Sequence, residues 1–193
     1  MQTKPEILFW RRTDVTGLER LALSGSADAV LAESTVICVT VICVEDGGFR
    51  LDHRWRLTPD WRALSLDVER WGPAGRTRLT LERTDGGWSV DGVRCADLDG
   101  AEEPDLSVTP FCNTFPIRRT PASVGTSLTV DTCFVDGAAM TVARSCQRYD
   151  RLGSDRLRYV DLGLSAGFEA DLQVDDQGLV LRYQHLFERV GPA

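Results

Sequence analysis

The chain is poor in the residues on which most catalytic and metal sites are built. Its 193 residues include two histidines, His53 and His185, and one lysine, Lys4, among 22 basic side chains. Six cysteines are present (Cys38, Cys43, Cys95, Cys112, Cys133 and Cys146), but none are spaced as Cys-x-x-Cys, and two scattered histidines do not complete a zinc set. Neither a metal nor a cofactor is expected. No serine nucleophile elbow, P-loop or dinucleotide fingerprint is expected. The net charge is -7 and both halves mix the two signs without a basic block. That excludes a counterion-releasing nucleic-acid face and a polybasic membrane anchor. The longest apolar-rich run, residues 36–44, falls far short of the ~20 residues of a membrane helix. The opening Met1-Gln2-Thr3-Lys4-Pro5-Glu6 lacks the apolar stretch of a signal peptide. The expectation is a cytoplasmic protein with reduced thiols and no stable membrane insertion.

What the chain has in abundance is alternation. Phe49, Leu51, His53, Trp55 and Leu57 share one strand face, with Arg50, Asp52, Arg54 and Arg56 on the other. The same period recurs at Leu64, Leu66 and Val68, at Leu79 and Leu81, at Leu128 and Val130, and from Phe168 through Val174. Turn signals separate these runs: Gly72-Pro73-Ala74-Gly75, Asp85-Gly86-Gly87, Asp91-Gly92, Asp136-Gly137 and Asp176-Gln177-Gly178. This pattern predicts an all-β fold of about ten to twelve antiparallel strands with little helix, in one domain spanning residues 1–193. Short helical turns are expected at residues 102–106 and after Pro110. Residues 29–45 run without Gly or Pro; as one straight strand they would reach about 56 Å, against about 40 Å for a compact domain of this size. The segment must bend or break, which predicts a strongly curved sheet.

One segment departs from alternation: Pro110-Phe111-Cys112-Asn113-Thr114-Phe115-Pro116-Ile117-Arg118-Arg119. Upstream, Asp97, Asp99, Glu102, Glu103 and Asp105 crowd five carboxylates together and read as a solvated acidic loop, not a calcium loop. If residues 117–120 are extended, Arg118 and Arg119 point to opposite faces, and one faces the interior. A buried guanidinium must be paired. Asp105 and Glu19 are the candidate internal partners, and an anionic or hydroxyl-rich ligand is the other candidate.

This segment resembles the "PFTNTLPIRR" signature of a glycolipid-binding family, formerly a domain of unknown function, with soluble bacterial members of about this length. Cys112 and Phe115 stand where the motif has Thr and Leu. The likeness continues in Gln147-Arg148-Tyr149 and Tyr159, through Phe168-Glu169-Ala170-Asp171-Leu172-Gln173-Val174-Asp175-Asp176-Gln177-Gly178-Leu179-Val180-Leu181-Arg182-Tyr183, and in Phe187-Glu188-Arg189; Trp10 and Gly17-Leu18-Glu19 fit the opening pattern. The resemblance implies a spiral β-roll likened to the half-barrels of bacterial lipoprotein carriers, and a non-catalytic glycolipid or lipid binder holding an amphiphile against the concave sheet face.

On that reading Asn113, Thr114, Arg118, Arg119, Gln147, Tyr149 and Tyr183 are the candidate ligand contacts, and Trp10, Trp55, Trp61, Trp71 and Trp88 are candidate aromatic walls. Two alternatives stand beside it. A hydrolase of a sugar or ester conjugate would use His185 as base, with His53 a buried structural residue. A structural protein would use the 110–119 segment to lock the roll, with Asn113 capping backbone groups. An open pocket beside these residues favours binding, and a filled core favours locking.

Overall fold

A computed structural model of the protein describes residues 4–39 and 48–191. Residues 40–45 of the long uninterrupted run, and Cys43 with them, lie outside the described residues. Fifteen strands among the described residues form one continuous sheet. β1 (Glu6–Arg12), β2 (Thr16–Gly25), β3 (Val30–Val39), β4 (Phe49–Leu57), β5 (Ala63–Gly72), β6 (Gly75–Thr84), β7 (Gly87–Val90) and β8 (Val93–Cys95) pair as successive antiparallel neighbours out to one edge. The chain then crosses to the opposite edge, where β9 (Glu103–Leu106) runs parallel to β10 (Ser127–Asp136). β11 (Thr141–Arg151), β12 (Arg156–Asp161), β13 (Glu169–Val174), β14 (Val180–Tyr183) and β15 (Phe187–Val190) return antiparallel until β15 pairs with β1.

β4 shows why the alternation was readable. Phe49, Leu51, His53, Trp55 and Leu57 are all buried, and Arg50, Arg54 and Arg56 are exposed. The Asp-Gly turns do what their chemistry allows: Asp91 (φ 50°) and Gly92 (φ 79°) form the two-residue loop between β7 and β8. The strand count exceeds the expected ten to twelve because β8, β9, β14 and β15 have three or four residues each, too few to display a period. Residues 103–106, expected as a helical turn, are instead edge strand β9; Pro104 is tolerated because an edge strand needs only one side of its ladder.

The two edges approach without joining as strands. Trp88 Nε1 donates to Ala101 O at 3.0 Å, Gly100 N to Gly86 O at 3.2 Å, and Ala63 N to the Glu103 carboxylate at 2.9 Å. The sheet is thus an open roll, and its enclosed face must be filled. The filler is the 107–126 crossover that the parallel β9–β10 pair requires. Within it, a single turn at Phe111–Asn113 leads into helix α1 (Thr114–Arg119), so residues 117–119 are helical, not extended. Pro116 sits in the first turn, where no intrahelical acceptor awaits its missing N–H. Thr120 is extended (ψ 126°) because it precedes Pro121, and there the helix stops.

Six residues cannot sustain a helix in water. Burial holds this one: Phe111, Thr114 and Phe115 are wholly inaccessible, and Cys112, Asn113 and Ile117 nearly so. Trp55 meets Phe115 edge-on at 5.3 Å and Phe111 at 6.0 Å, and the two phenylalanines meet at 5.3 Å. Trp10, Trp55 and Trp88 are fully buried core residues. Phe115→Ala is expected to cost about 3–5 kcal/mol in denaturant unfolding, whereas Ile37→Ala, on the outer face at 56% exposure, should stay within about 0.5 kcal/mol. Comparable losses for the two would show that α1 is not core.

Candidate functional site

Five polar side chains at the start of the plug form one connected chain. Asn113 Nδ2 donates to Tyr149 Oη at 2.9 Å, and Tyr149 donates in turn to Gln147 Oε1 at 3.0 Å. Gln147 Nε2 donates to Asp105, whose other oxygen accepts the Cys112 thiol at 3.1 Å. The chain links the plug, β11 and β9, and leaves Asn113, Gln147 and Tyr149 buried. Asn113 therefore ties side chain to side chain and does not cap the helix. Thr114 is wholly buried and its hydroxyl has no partner. Burial first, then the neighbouring Asp105, pushes the Cys112 thiol well above the usual range, and burial pushes Cys133 up to about 12. Neither is poised as a nucleophile.

A second tie joins the plug to the N-terminal half of the sheet. Glu19 Oε1 accepts from Ser34 Oγ at 2.7 Å, Thr109 Oγ1 at 2.9 Å and His53 Nε2 at 3.0 Å, while its buried Oε2 has no partner. The Trp55 indole can only donate, so His53 Nδ1 accepts from it at 2.9 Å and the ring proton sits on Nε2. His53 is buried, as its strand register predicted.

The arginines of the motif are engaged elsewhere than expected. Arg119 pairs with buried Glu103 at 2.6 Å and with Glu102 at 3.4 Å, not with Asp105 or Glu19. Arg83 supports the same carboxylate at 3.6 Å and stacks on Trp88. The supposed acidic loop thus contributes Glu103 to the interior. Arg118 is exposed; it stacks on Trp61 at 4.5 Å and donates to Gln177 O. Trp61 has φ 66°, a left-handed conformation costly for a bulky side chain, and is clasped between Arg118 and Phe111.

Beyond the plug, the inner face of β12–β15 is not filled. A cleft of about 270 Å³ opens there, walled by Phe134, Tyr159, Phe168, Tyr183 and Phe187, with Asp105, Asn113 and Asp161 among its polar lining. Four of the rings contact one another: Tyr159 and Tyr183 at 5.7 Å, Tyr159 and Phe168 at 6.0 Å, Tyr183 and Phe187 at 6.2 Å. Asp161 is held by its own loop: Oδ1 accepts from Gly163 N (2.8 Å) and Ser165 N (3.1 Å), and Oδ2 from Tyr159 Oη (3.1 Å). Among the described residues the Tyr183 hydroxyl has no hydrogen-bond partner, and it is not fully enclosed, so a molecule in the cleft can reach it. Burial, then the nearby Asp105, Cys112 and Asp161, raises its pKa well above the usual value, so it stays protonated as a donor.

Of the seven residues expected to contact a ligand, Asn113 and Tyr183 line this cleft, Gln147 and Tyr149 lie buried behind it, Thr114 is buried in the plug, and Arg118 and Arg119 lie apart from it. Phe134, Asp161, Phe168 and Phe187 also line it and were not singled out; Asp161 ends β12, Phe168 closes the turn before β13, and Phe187 opens the four-residue β15. A larger depression, about 440 Å³, lies over the charged outer face of β2–β6, where pairs such as Arg78–Asp67 and Arg54–Glu33 already satisfy one another. It has no aromatic wall.

The expectation that the chain has no nucleophile elbow is corrected at one place: Gly163-Leu164-Ser165-Ala166-Gly167 has the Gly-x-Ser-x-Gly spacing. Here it is the turn from β12 to β13. No helix follows, Ser165 touches Asp161 through its backbone N–H only and its hydroxyl makes no hydrogen bond among the described residues, and its φ is not positive. Gly163 serves a close approach: a Cβ there would meet Ser145 Oγ at 2.4 Å. His185 is exposed in a separate depression beside Tyr183 and Phe187. Among the described residues no helix is long and apolar enough to cross a membrane, and no cluster of metal-ligating side chains occurs.

A family model described as "Putative glycolipid-binding" matches residues 7–189. The chain belongs to this family. A crystal structure of a DUF1089 family protein from Pseudomonas aeruginosa is similar to it, with a TM-score of 0.78 and 31% sequence identity over 89% of this chain and 92% of that one. No curated protein matches. In this glycolipid-binding family member the signature segment is the plug, and the cleft is what the plug leaves open.

Two measurements follow from the site's electrostatics. Burial raises the pKa of Asp105 above the ordinary carboxylate value, against the lowering effect of its hydrogen bonds from Cys112 and Gln147. The folded state then binds more protons than the unfolded one above roughly pH 4, so this carboxyl's contribution to stability declines as pH rises through its raised value. Asp105→Asn lacks that decline, and its stability deficit in urea is expected to shrink as pH increases; a widening deficit would mean the carboxylate is favoured as an anion. Tyr183→Phe removes a hydroxyl with no partner and should be neutral or stabilising by up to about 1 kcal/mol; a loss of more than that would reveal a bond absent here.

Proposed function

We propose that the protein binds a glycolipid non-covalently, with the hydroxyl-bearing headgroup in the cleft of β12–β15. The observation that carries this is the cleft's composition: five aromatic rings, two carboxylates and a tyrosine hydroxyl without a partner among the described residues around one opening. A sugar ring presents an apolar C–H face and a rim of hydroxyls, which suits an aromatic wall with a few fixed polar groups. Family membership supports the ligand class. The concave face assigned by resemblance to an acyl chain is occupied, along β4, by Phe111 and Phe115. The alkyl part therefore stays outside, and Leu162 (43% exposed) and Leu164 (57% exposed), on the loop that brings Ser165 into the wall, offer it an apolar rim. The five described cysteines are all free thiols, which fits the reducing compartment that we assign to the protein, the cytoplasm.

Native mass spectrometry of the protein with a cell glycolipid extract should show a sugar-bearing adduct, lost or weakened at least tenfold in Phe168→Ala, a partly buried wall residue. An adduct that is a plain fatty acid, or one indifferent to Phe168→Ala, would remove this reading.

A further inference from the structure

Volume, charge and one open hydroxyl without a partner among the described residues together narrow the ligand, on the assumption that the cleft is the glycolipid site. At about 270 Å³ the cleft lies below the ~300–1,000 Å³ of drug-sized sites, room for a single ring. The ionisable groups lining it are Asp105 and Asp161 with the tyrosines Tyr159 and Tyr183; no arginine, lysine or histidine does. Arg12, stacked on Phe187 at 5.4 Å, is already held by both oxygens of Asp14. An anion entering would shed its water and meet carboxylates, with no cation to take the water's place. An uncharged hydroxylated ring meets acceptors instead. Its hydroxyls can donate to the carboxylates, and the Tyr183 hydroxyl, protonated and unpartnered, can donate back.

We infer that the cleft selects a single uncharged sugar ring, rejecting phosphorylated, sulfated and uronic-acid headgroups, with the Tyr183 hydroxyl as the specificity-determining donor. Phosphate- and carboxylate-bearing headgroups normally require arginine forks, and the arginines of the signature motif, Arg118 and Arg119, are committed to Trp61 and Glu103, away from the opening.

The probes are n-octyl β-D-glucoside, n-octyl β-D-glucuronide and n-octanol, each titrated below its micellar or solubility limit into the isotope-labelled full chain and followed by amide chemical shifts. The glucoside should perturb residues around Asp161, Phe168 and Tyr183, with the glucuronide at least about tenfold weaker and octanol without effect in the cleft. A glucuronide that binds as well as the glucoside overturns the charge selection while leaving the glycolipid reading in place. Octanol shifting the same residues overturns the headgroup assignment. Silence from both glycosides overturns the underlying reading and this inference together. Tyr183→Phe should keep its thermal midpoint and weaken the glucoside roughly three- to tenfold; unchanged affinity overturns the role given to the hydroxyl.

Discussion

A sheet that rolls without closing has to fill its own lumen, and in this protein the filler is dictated by topology. The chain walks outward from β1 to β8, and must then cross to the far edge before walking back from β9 to β15. Because β9 and β10 are parallel, the link between them cannot be a hairpin. It has to travel the length of the strands, and the one dry path is through the roll. The 107–126 crossover therefore does two jobs: it satisfies the connection and supplies Phe111, Phe115 and Ile117 to a core that the strands alone would leave hollow. The open roll and the buried helix are one solution, not two features.

A six-residue helix in that position is held by its ends and by its neighbours. Hydrophobic contacts with Trp55 provide the bulk, but they are non-directional. Orientation comes from buried polar ties: Thr109 to Glu19 at the plug's entry, Asn113 through Tyr149 and Gln147 to Asp105 beside it, and Arg119 to Glu103 at its exit. Glu103 is informative because it reaches three elements at once, accepting from Ala63 N on β5 and from Arg119 while Arg83 on β6 lies nearby. Burial raises the pKa of that carboxyl and the two guanidiniums lower it. Losing either arginine would leave a buried charge short of compensation, which is why motif arginines can matter to the fold without touching a ligand.

Alternation made the wet and dry faces of β4, β6 and β13 legible, since each has enough residues to show the period and a turn of known chemistry at its end. The same test failed for β9, where Pro104 and three carboxylates within residues 102–105 imitate a surface loop. Only the tertiary fold, by pressing Arg119 and Ala63 against Glu103, makes that loop an edge strand. The helical state of residues 114–119 was equally hidden: so short a helix cannot display a 3.6-residue stripe, and its first four residues are all buried. Curvature was inferred from residues 29–45 by length, and β3 is part of a rolled sheet, although the end of that run lies outside the described residues. The cleft was partly visible through Asn113 and Tyr183. Its carboxylates were not, because a strand face or loop cap such as Asp161 looks the same in sequence whether or not aromatics from three other strands converge on it.

The division of the interior also explains why a family signature need not be a binding motif. The plug fills the roll under β4, and two members of its polar chain, Asp105 and Asn113, form part of the cleft wall. Substituting the signature would alter the cleft through the position of that wall, even at residues such as Thr114 that no ligand could reach. A small aromatic opening beside a filled roll favours recognition of a ring over enclosure of a chain. The sheet is the curved open roll that the resemblance implied, but its interior under β4 is filled by the crossover, which leaves an aromatic end uncovered.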